Sequence, residues 1–254
     1  MAYHGLSMIR NQHLIMKKIS ISLVLLLLCQ LLISQNIQHS GNFSGTIIKQ
    51  VSADYLLYLP DGYSPESREV WPLLVFLHGS GERGTDLEKL KVHGPPKLIE
   101  QGQKFPFIVL SPQCPNNQDF DTETLFSLIE HITKEYNVDK DRIVVTGLSM
   151  GGGATWDLAF AYPGYFAAIV PVCGVVDRNY PSRVAEIKDQ PVWVFHGAND
   201  FIVPIVQSAG IVNALKELGS NIKFTIYPTA GHDSWTETYN NPELYEWLLQ
   251  QRRK

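Results

Sequence analysis

The stretch Gly147-Leu148-Ser149-Met150-Gly151 lies between two segments of different character. Residues 142–146 are mostly apolar and β-branched, which predicts a strand, and residues 152–161 have the composition of a helix. A serine between glycines at a strand-to-helix turn is the G-x-S-x-G nucleophile elbow, whose tight backbone exposes the serine hydroxyl. The glycines leave room for strand and helix to approach closely. We therefore predict that Ser149 is a nucleophile, rather than a serine in an ordinary glycine-rich turn.

Length and composition suit one globular domain. The 254 residues are 44% hydrophobic and 18% charged, with a formal net charge of -4. These values are typical of an α/β domain with a large core. No basic stripe is present, so we expect no nucleic-acid partner. No linker is recognisable, and residues 41–254 are predicted to form a single catalytic domain.

The first forty residues follow the order of a secretory signal. Lys17 and Lys18 precede an apolar run over 19–33, and Ser34 offers a small residue for cleavage. The apolar core is short for a membrane span, and an uncleaved anchor is the alternative. We expect residues 1–40 to be a signal peptide and a disordered N-terminus. The protein would then be secreted or periplasmic, with no stable membrane insertion after signal cleavage.

Eight apolar or alternating runs predict strands, and most are followed by a helical segment. The predicted strands span 45–51, 55–59, 71–77, 107–110, 142–146, 166–172, 192–195 and 223–227. Two initial strands followed by repeated strand and helix units predict an α/β fold, with a mainly parallel eight-stranded sheet and helices on both faces. The segment 174–190 is too short for a large cap domain.

Two loops after the elbow carry partners for Ser149. Asp200 follows the strand at 192–195, and His232 follows the strand at 223–227. The carboxyl ends of parallel strands meet at one edge of a sheet, and the chain order Ser, Asp, His is that of the α/β-hydrolase fold. A serine hydroxyl needs a base to take its proton, and that base needs an acid to orient it. We assign these roles to His232 and Asp200.

Other acids and bases stay open at this point. Asp177 follows the strand after the elbow and is a second candidate for the acid. His78 and His196 each precede a glycine at a strand end, where either could be the base or could brace a loop. Neither an H-E-x-x-H pair nor a His/Cys cluster occurs in the sequence, so we expect no metal and no cofactor.

An oxyanion hole requires two backbone N–H groups aimed at the oxygen that becomes negative. The elbow supplies one, the N–H of Met150. The glycine-rich loop after the strand at 71–77 supplies the second, for which we choose Ser80, with Gly81 as the next candidate. Cys114 and Cys173 follow strands that would not be neighbours, so we expect free thiols rather than a disulfide.

Five motifs in this order resemble a known group of hydrolases. They are L-H-G-S-G-E-R-G from Leu77, S-P-Q-C-P from Ser111, V-T-G-L-S-M-G-G from Val145, H-G-A-N-D-F-I-V-P from His196 and A-G-H-D-S-W from Ala230. Together they resemble secreted bacterial α/β-hydrolases of the dienelactone-hydrolase-like, phospholipase/carboxylesterase-like and prolyl-oligopeptidase-like group. They are also similar to the catalytic domains of feruloyl and acetyl-xylan esterases.

The resemblance covers about residues 45–251 and implies the α/β-hydrolase fold. It also implies Ser149 as nucleophile, Asp200 as acid, His232 as base, and Ser80 and Met150 as main-chain oxyanion donors. The loop over 115–122 departs from the pattern, because a tryptophan would be expected in it and the residues found are Asn116-Asn117-Gln118-Asp119-Phe120.

These features predict a serine esterase that acts on a small ester or a polysaccharide-linked ester, with a small acyl or aromatic, feruloyl-type group. Phe120 and Trp235 are candidates for the wall of the acyl pocket, or for core packing. The alternatives are a serine peptidase of the prolyl-oligopeptidase-like type and a non-catalytic binding module on a hydrolase scaffold. The sequence indicates neither the natural ester nor the oligomeric state.

Overall fold

Seven strands form one sheet in the computed structural model, which describes residues 13, 16–20, 40, 42–46, 48–176 and 179–253. In chain order they are β1 (Tyr55–Tyr58), β2 (Trp71–Leu77), β3 (Ile108–Pro112), β4 (Val138–Leu148), β5 (Ala168–Val172), β6 (Trp193–Gly197) and β7 (Lys223–Tyr227). Their order across the sheet is β1-β3-β2-β4-β5-β6-β7. β1 runs antiparallel to β3, and the other neighbouring pairs are parallel. The predicted α/β fold and mainly parallel sheet are confirmed.

Apolar side chains cover both faces of the sheet. Along β2, Leu73, Val75 and Leu77 belong to one buried cluster, and Leu74 and Phe76 belong to another. Successive side chains of a strand point to opposite faces, so the two clusters lie on opposite faces. The helices that complete them are α1 (Gly94–Glu100), α2 (Thr122–Glu135), α3 (Met150–Ala161), α4 (Val206–Glu217), α5 (Trp235–Tyr239) and α6 (Pro242–Leu249). Helices on both faces were predicted and are confirmed.

The start and the buried face of helix α2 follow from its local sequence. The Asp121 carboxylate accepts the backbone N–H of Thr124 at 2.9 Å and so caps the helix start. Leu125, Ile129 and Ile132 recur at helical spacing and are buried on the side that faces the sheet cluster. The amphipathic helix predicted from this spacing therefore forms.

The predicted number of strands is corrected from eight to seven. The strand expected over 45–51 is absent from the described residues of that segment, which have no regular secondary structure. Ile48 is 89% exposed and Val51 is 40% exposed. An edge strand has only one neighbour to bond with, and side chains that bury so little apolar surface add little to hold it.

The N-terminal prediction falls largely outside the described residues. Within the predicted signal peptide and disordered segment, 1–40, residues 16–20 are helical and exposed. The chain divides into two units, 1–49 and 50–254, and the sheet with helices α1 to α6 belongs to the second. A search of the described residues finds no helix with the length and apolarity that a membrane crossing requires.

The segment between β5 and β6 is short, as the sequence predicts. Its described residues form two short 3-10 helices, Tyr180–Ser182 and Val184–Ile187, and residues 177 and 178 lie outside the description. This part of the chain, so far as it is described, contains no α-helix that could act as a cap. The loops that follow β2, β4, β6 and β7 therefore meet at an open edge of the sheet.

Candidate active site

The elbow holds Ser149 in a conformation that non-glycine residues rarely adopt. Its φ is +52° and its ψ is -113°, between the end of β4 and the start of α3. Both flanking glycines are required because neither position has room for a side chain. A Cβ on Gly147 would lie 2.3 Å from the Gly151 carbonyl oxygen. A Cβ on Gly151 would lie 2.0 Å from the carbonyl oxygen of Leu77. The tight turn therefore depends on both glycines and brings the end of β2 against the elbow.

His232 connects Ser149 to Asp200. The Ser149 hydroxyl lies 2.9 Å from His232 Nε2, and His232 Nδ1 lies 2.8 Å from Asp200 Oδ2. A carboxylate can only accept, so Nδ1 carries the ring proton and Nε2 is left to accept the proton of the serine hydroxyl. The structure thus brings together the three side chains that the sequence assigned as nucleophile, base and acid.

Asp200 is fixed by further hydrogen bonds from its own loop. Its Oδ1 accepts the backbone N–H groups of Ile202 and Val203, each at 2.9 Å. Burial by itself would raise the pKa of this carboxyl, but the hydrogen bonds from His232, Val203 and Ile202 outweigh burial and lower the pKa. Asp200 is therefore held ionised, in the form that orients the imidazole.

The two alternative bases lie elsewhere and brace loops. His196 is fully buried, with Nδ1 2.8 Å from the Ser208 hydroxyl and Nε2 2.8 Å from the Val203 carbonyl oxygen. His78 accepts the N–H of Cys114 at Nε2 and donates from Nδ1 to the Gly79 carbonyl oxygen. Burial lowers the pKa of both rings, to about 4 for His78. Neither of these hydrogen-bond sets includes Ser149, and the alternative acid, Asp177, lies outside the described residues.

The two predicted oxyanion donors lie on segments that pack against each other. Ser80 begins a 3-10 helix (Ser80–Glu82), and Met150 is the first residue of α3. Within the described chain, no hydrogen bond uses the N–H of either residue. A Cβ on Gly79 would approach Leu148 Cδ1 to 2.7 Å, which shows how closely the loop after β2 meets the elbow. Both N–H groups are thus available to an outside acceptor.

A cleft of about 570 Å3 opens on Ser149. Its lining comes from α3 and from the loops after β2, β3, β5 and β6. The lining residues are Arg83, Asp119, Phe120, Ser149, Met150, Gly153, Ala154, Asp157, Val175, Ile202 and Val203. Phe120 lies in the cleft, as the sequence suggested, and the guanidinium of Arg83 pairs with the Asp119 carboxylate at its rim. The surface near the nucleophile is predominantly apolar.

Trp235 lies in a different cavity from Phe120. It is not among the described residues that line the Ser149 cleft, and it instead lines a cavity of about 120 Å3 together with His93. Its indole N–H donates to His93, and its ring packs against the apolar cluster that contains Leu74. Of the two roles that the sequence left open for Trp235, pocket wall or core packing, its hydrogen bond to His93 and its contact with the apolar cluster fit the second.

Cys173 is a neighbour of the site that sequence reasoning missed. Ligand atoms of Cys173, Asp200 and His232 lie within 4.8 Å of one another, a grouping that could hold a metal ion. Burial raises the pKa of the Cys173 thiol to about 12, and both nitrogens of His232 are already engaged. The donor set thus favours proton transfer over metal binding. The position of Cys173 directly after β5, beside the elbow strand, was the available signal. Both Cys173 and Cys114 are free and buried.

This chain matches a known protein family and is similar to individual proteins of that kind. Residues 111–244, just over half of the 254 residues, match the model of the dienelactone hydrolase family. The bifunctional acetylxylan esterase/xylanase XynS20E of Neocallimastix patriciarum is 26% identical over 65% of this chain and 24% of its own length. The "Probable feruloyl esterase C" of Aspergillus terreus is 27% identical over 66% of this chain and 62% of its own length. The chain thus spans less than two thirds of each of these relatives.

A solved structure agrees with the fold. The crystal structure of a thermostable esterase superposes with a TM-score of 0.67 at 36% identity, covering 78% of this chain and 59% of that one. The chain is therefore related to acetylxylan and feruloyl esterases and has the α/β-hydrolase fold. The resemblance stated from the sequence motifs is confirmed. The family match, which extends over more than half of the chain, shows that this protein belongs to the dienelactone hydrolase family.

Proposed function

We propose that this protein is an exported serine esterase that hydrolyses carboxylic esters of small acyl or aromatic, feruloyl-type groups, including esters carried on plant polysaccharides. The observation that carries the proposal is the hydrogen-bonded path from Asp200 through His232 to the hydroxyl of Ser149. The family match and the esterase relatives support the class of carboxylic ester hydrolases. No step of the reaction requires a cofactor.

The proposed reaction begins with proton transfer from Ser149 to Nε2 of His232 as the serine oxygen attacks the ester carbonyl carbon. The carbonyl oxygen becomes negative and accepts hydrogen bonds from the N–H groups of Ser80 and Met150. Asp200 stabilises the imidazolium that forms. The carbon–oxygen bond to the alcohol then breaks, and His232 donates its proton to the departing alcohol.

The second half of the reaction uses water in place of Ser149. Nε2 of His232 takes a proton from water, which attacks the acyl-enzyme carbonyl, and the proton returns to the Ser149 oxygen as the acid departs. Each group therefore returns to its starting state. The predominantly apolar cleft beside Ser149, with Phe120 and Met150 in its lining, suits an acyl or aromatic group.

A panel of substrates tests the proposed function. The wild-type chain is incubated with p-nitrophenyl acetate, butyrate and decanoate, with methyl ferulate and with a proline anilide. We expect turnover of the shorter esters and of methyl ferulate, and none with Ser149→Ala. Hydrolysis of the anilide without hydrolysis of the esters would identify a peptidase, and no turnover of any substrate would favour a binding module.

Export is part of the proposal and has its own measurement. The basic and apolar N-terminal residues support it, and residues 41–254 would then be the mature catalytic domain. Expression of the full chain in a bacterial host, followed by mass determination of the extracytoplasmic product, should give a mature chain that begins after the apolar run. An intact N-terminus in the membrane fraction would contradict cleavage.

A further inference from the structure

The tetrahedral intermediate of ester hydrolysis determines where the acyl group must lie. Its central carbon carries four substituents, of which one is the oxygen of Ser149. The negative oxygen points to the N–H groups of Ser80 and Met150, and the departing alcohol oxygen must lie within reach of Nε2 of His232. The acyl group therefore takes the fourth direction, which leads away from both His232 and the oxyanion donors.

The cleft at Ser149 lies in that fourth direction. Ser149 and Met150 are among its lining residues, whereas His232, which the structure also describes, is not. The side chain of His232 is nevertheless 20% exposed, so it faces solvent at another side of Ser149. A pocket for the alcohol would have to border His232, because this residue donates the proton to the departing alcohol. The cleft thus lies on the acyl side of the reacting carbon.

Two exposed aliphatic side chains line this cleft. Val175 follows β5 and is 51% exposed, and Ile202 follows β6 and is 73% exposed. The loop holds Ile202 close to the catalytic residues, because its N–H donates to the Asp200 carboxylate at 2.9 Å. An apolar group that lies against Val175 and Ile202 removes their surface from water and is bound more tightly for that reason.

The cleft offers more apolar surface than an acetyl group can use. Its volume of about 570 Å3 is within the usual range of a site for a drug-sized molecule, and an acetyl group would place a single methyl group in it. At the rim, Arg83 and Asp119 form an ion pair, so neither presents an isolated charge there that would select an ionic acyl group. The lining therefore suits an aliphatic chain longer than acetyl.

We propose that Val175 and Ile202 set the acyl specificity, and that the enzyme prefers butyryl and hexanoyl groups to the acetyl group. Each added methylene covers more of the two side chains until the chain extends beyond the open cleft, where its outer carbons stay in water. The inference rests on the proposed esterase activity and adds the acyl length and the residues that select it.

A series of esters with one alcohol and different acyl groups tests the preference. The p-nitrophenyl esters of acetate, butyrate and hexanoate are assayed with wild type, Val175→Thr and Ile202→Thr. Full burial of a methylene is worth about fourfold in binding, so in this open cleft we expect the wild-type kcat/KM to rise about twofold per methylene. Threonine keeps the β-branched shape but adds a hydroxyl to the apolar wall. Each variant should therefore lower kcat/KM about threefold for the hexanoate and less for the shorter esters.

A matched control uses the same substitution away from the cleft. Ile226 lies on β7, is 45% exposed and does not line the cleft, so Ile226→Thr should keep the wild-type slope of kcat/KM against chain length. Melting temperatures check that each variant folds. If Ile202→Thr disturbs the loop of Asp200, it will lower kcat/KM by one factor for all three esters. Val175→Thr then decides, because Val175 lies on a different loop.

A second series tests the assigned side of the cleft. Methyl, butyl and hexyl acetate share one acyl group and differ in the alcohol, and their hydrolysis is followed by titration of the acid released. The slope of kcat/KM against alcohol length should be the same in wild type, Val175→Thr and Ile202→Thr. A flatter slope in the two variants for this series, with the acyl series unaffected, would assign the cleft to the alcohol and overturn the inference.

Failure of the inference is distinguishable from failure of the proposed function. Hydrolysis of all the p-nitrophenyl esters with the acetate preferred, or with the same slope in wild type and in both cleft variants, would refute selection by Val175 and Ile202 while leaving the esterase intact. Absence of any ester hydrolysis by the wild type would refute the proposed function and this inference with it.

Discussion

Trp235 donates its indole N–H to Nδ1 of His93 across 3.3 Å. The same indole ring meets His232 edge-on, with ring centroids 5.3 Å apart and an angle of 89° between the planes. His93 Nε2 in turn lies 3.7 Å from Oε1 of Glu82, a buried residue of the 3-10 helix that begins at Ser80. The side chain that contacts the proposed base is therefore tied to the turn that carries a proposed oxyanion donor.

Replacement of Trp235 should lower turnover without changing substrate binding. Trp235→Phe keeps an aromatic ring beside His232 but loses the hydrogen bond to His93, and we expect kcat to fall about two- to tenfold with KM unchanged. Trp235→Leu loses the ring as well and should lower kcat further. Steady-state kinetics with p-nitrophenyl acetate, with melting temperatures as the control for folding, measure both effects. Wild-type kcat in the two variants would show that Trp235 only packs the core.

Asp200→Asn should lower kcat by about four orders of magnitude. The asparagine amide can donate to Nδ1 of His232, which moves the ring proton to Nε2 and leaves no acceptor for the Ser149 hydroxyl. The two backbone N–H groups that bond to Asp200 can still bond to the amide oxygen, so the loop should keep its shape. Asp177→Asn is the matched variant, and loss of activity in it rather than in Asp200→Asn would reassign the acid.

Stability should decline as the pH falls, because of His78. Burial lowers the pKa of this ring from 6.5 to about 4, so the unfolded chain binds the proton first as the pH falls. The contribution of His78 is complete above about pH 6.5 and is lost progressively toward about pH 4. We expect the free energy of unfolding in urea to drop by about 1–3 kcal/mol across this range.

His78→Asn provides the comparison for this pH dependence. The variant should be less stable at neutral pH, because it loses the bonds to Cys114 and Gly79, but its stability should depend less steeply on pH. Some slope should remain, since burial also lowers the pKa of His196. His131→Asn, at an exposed position of α2, should keep the wild-type slope. Identical slopes in wild type and His78→Asn would contradict the account.

The arrangement of Ser149, Asp200 and His232 was predictable because its signals are local. A strand before Gly147 and a helix after Gly151 identify the elbow, and the ends of two later strands identify where Asp200 and His232 lie. The parallel sheet then brings these loops to one edge, whatever the details of the packing. The sequence alone therefore sufficed to name three residues that form one hydrogen-bonded path in the fold, from Asp200 through His232 to Ser149.

The residues around Ser149, Asp200 and His232 are placed by tertiary contacts, which a local sequence pattern does not predict. Trp235 is close to His232 in sequence, but the orientation of its indole ring is set by the hydrogen bond to His93, which is 142 residues away along the chain. Cys173 reaches the site only because β5 lies beside β4 in the sheet. The strand expected over 45–51 did not form for a related reason, because a short run of strand-forming residues does not by itself provide a partner strand or a buried face.

The central claim is that Ser149 is a nucleophile activated by His232, and covalent labelling tests it most directly. The wild-type chain is incubated with diisopropyl fluorophosphate, digested, and analysed by mass spectrometry. We predict one diisopropylphosphoryl adduct on the peptide that contains Ser149, no adduct in Ser149→Ala, and much slower labelling in His232→Ala. Absence of an adduct from the wild type, or an adduct on another residue with Ser149 unmodified, would contradict the account.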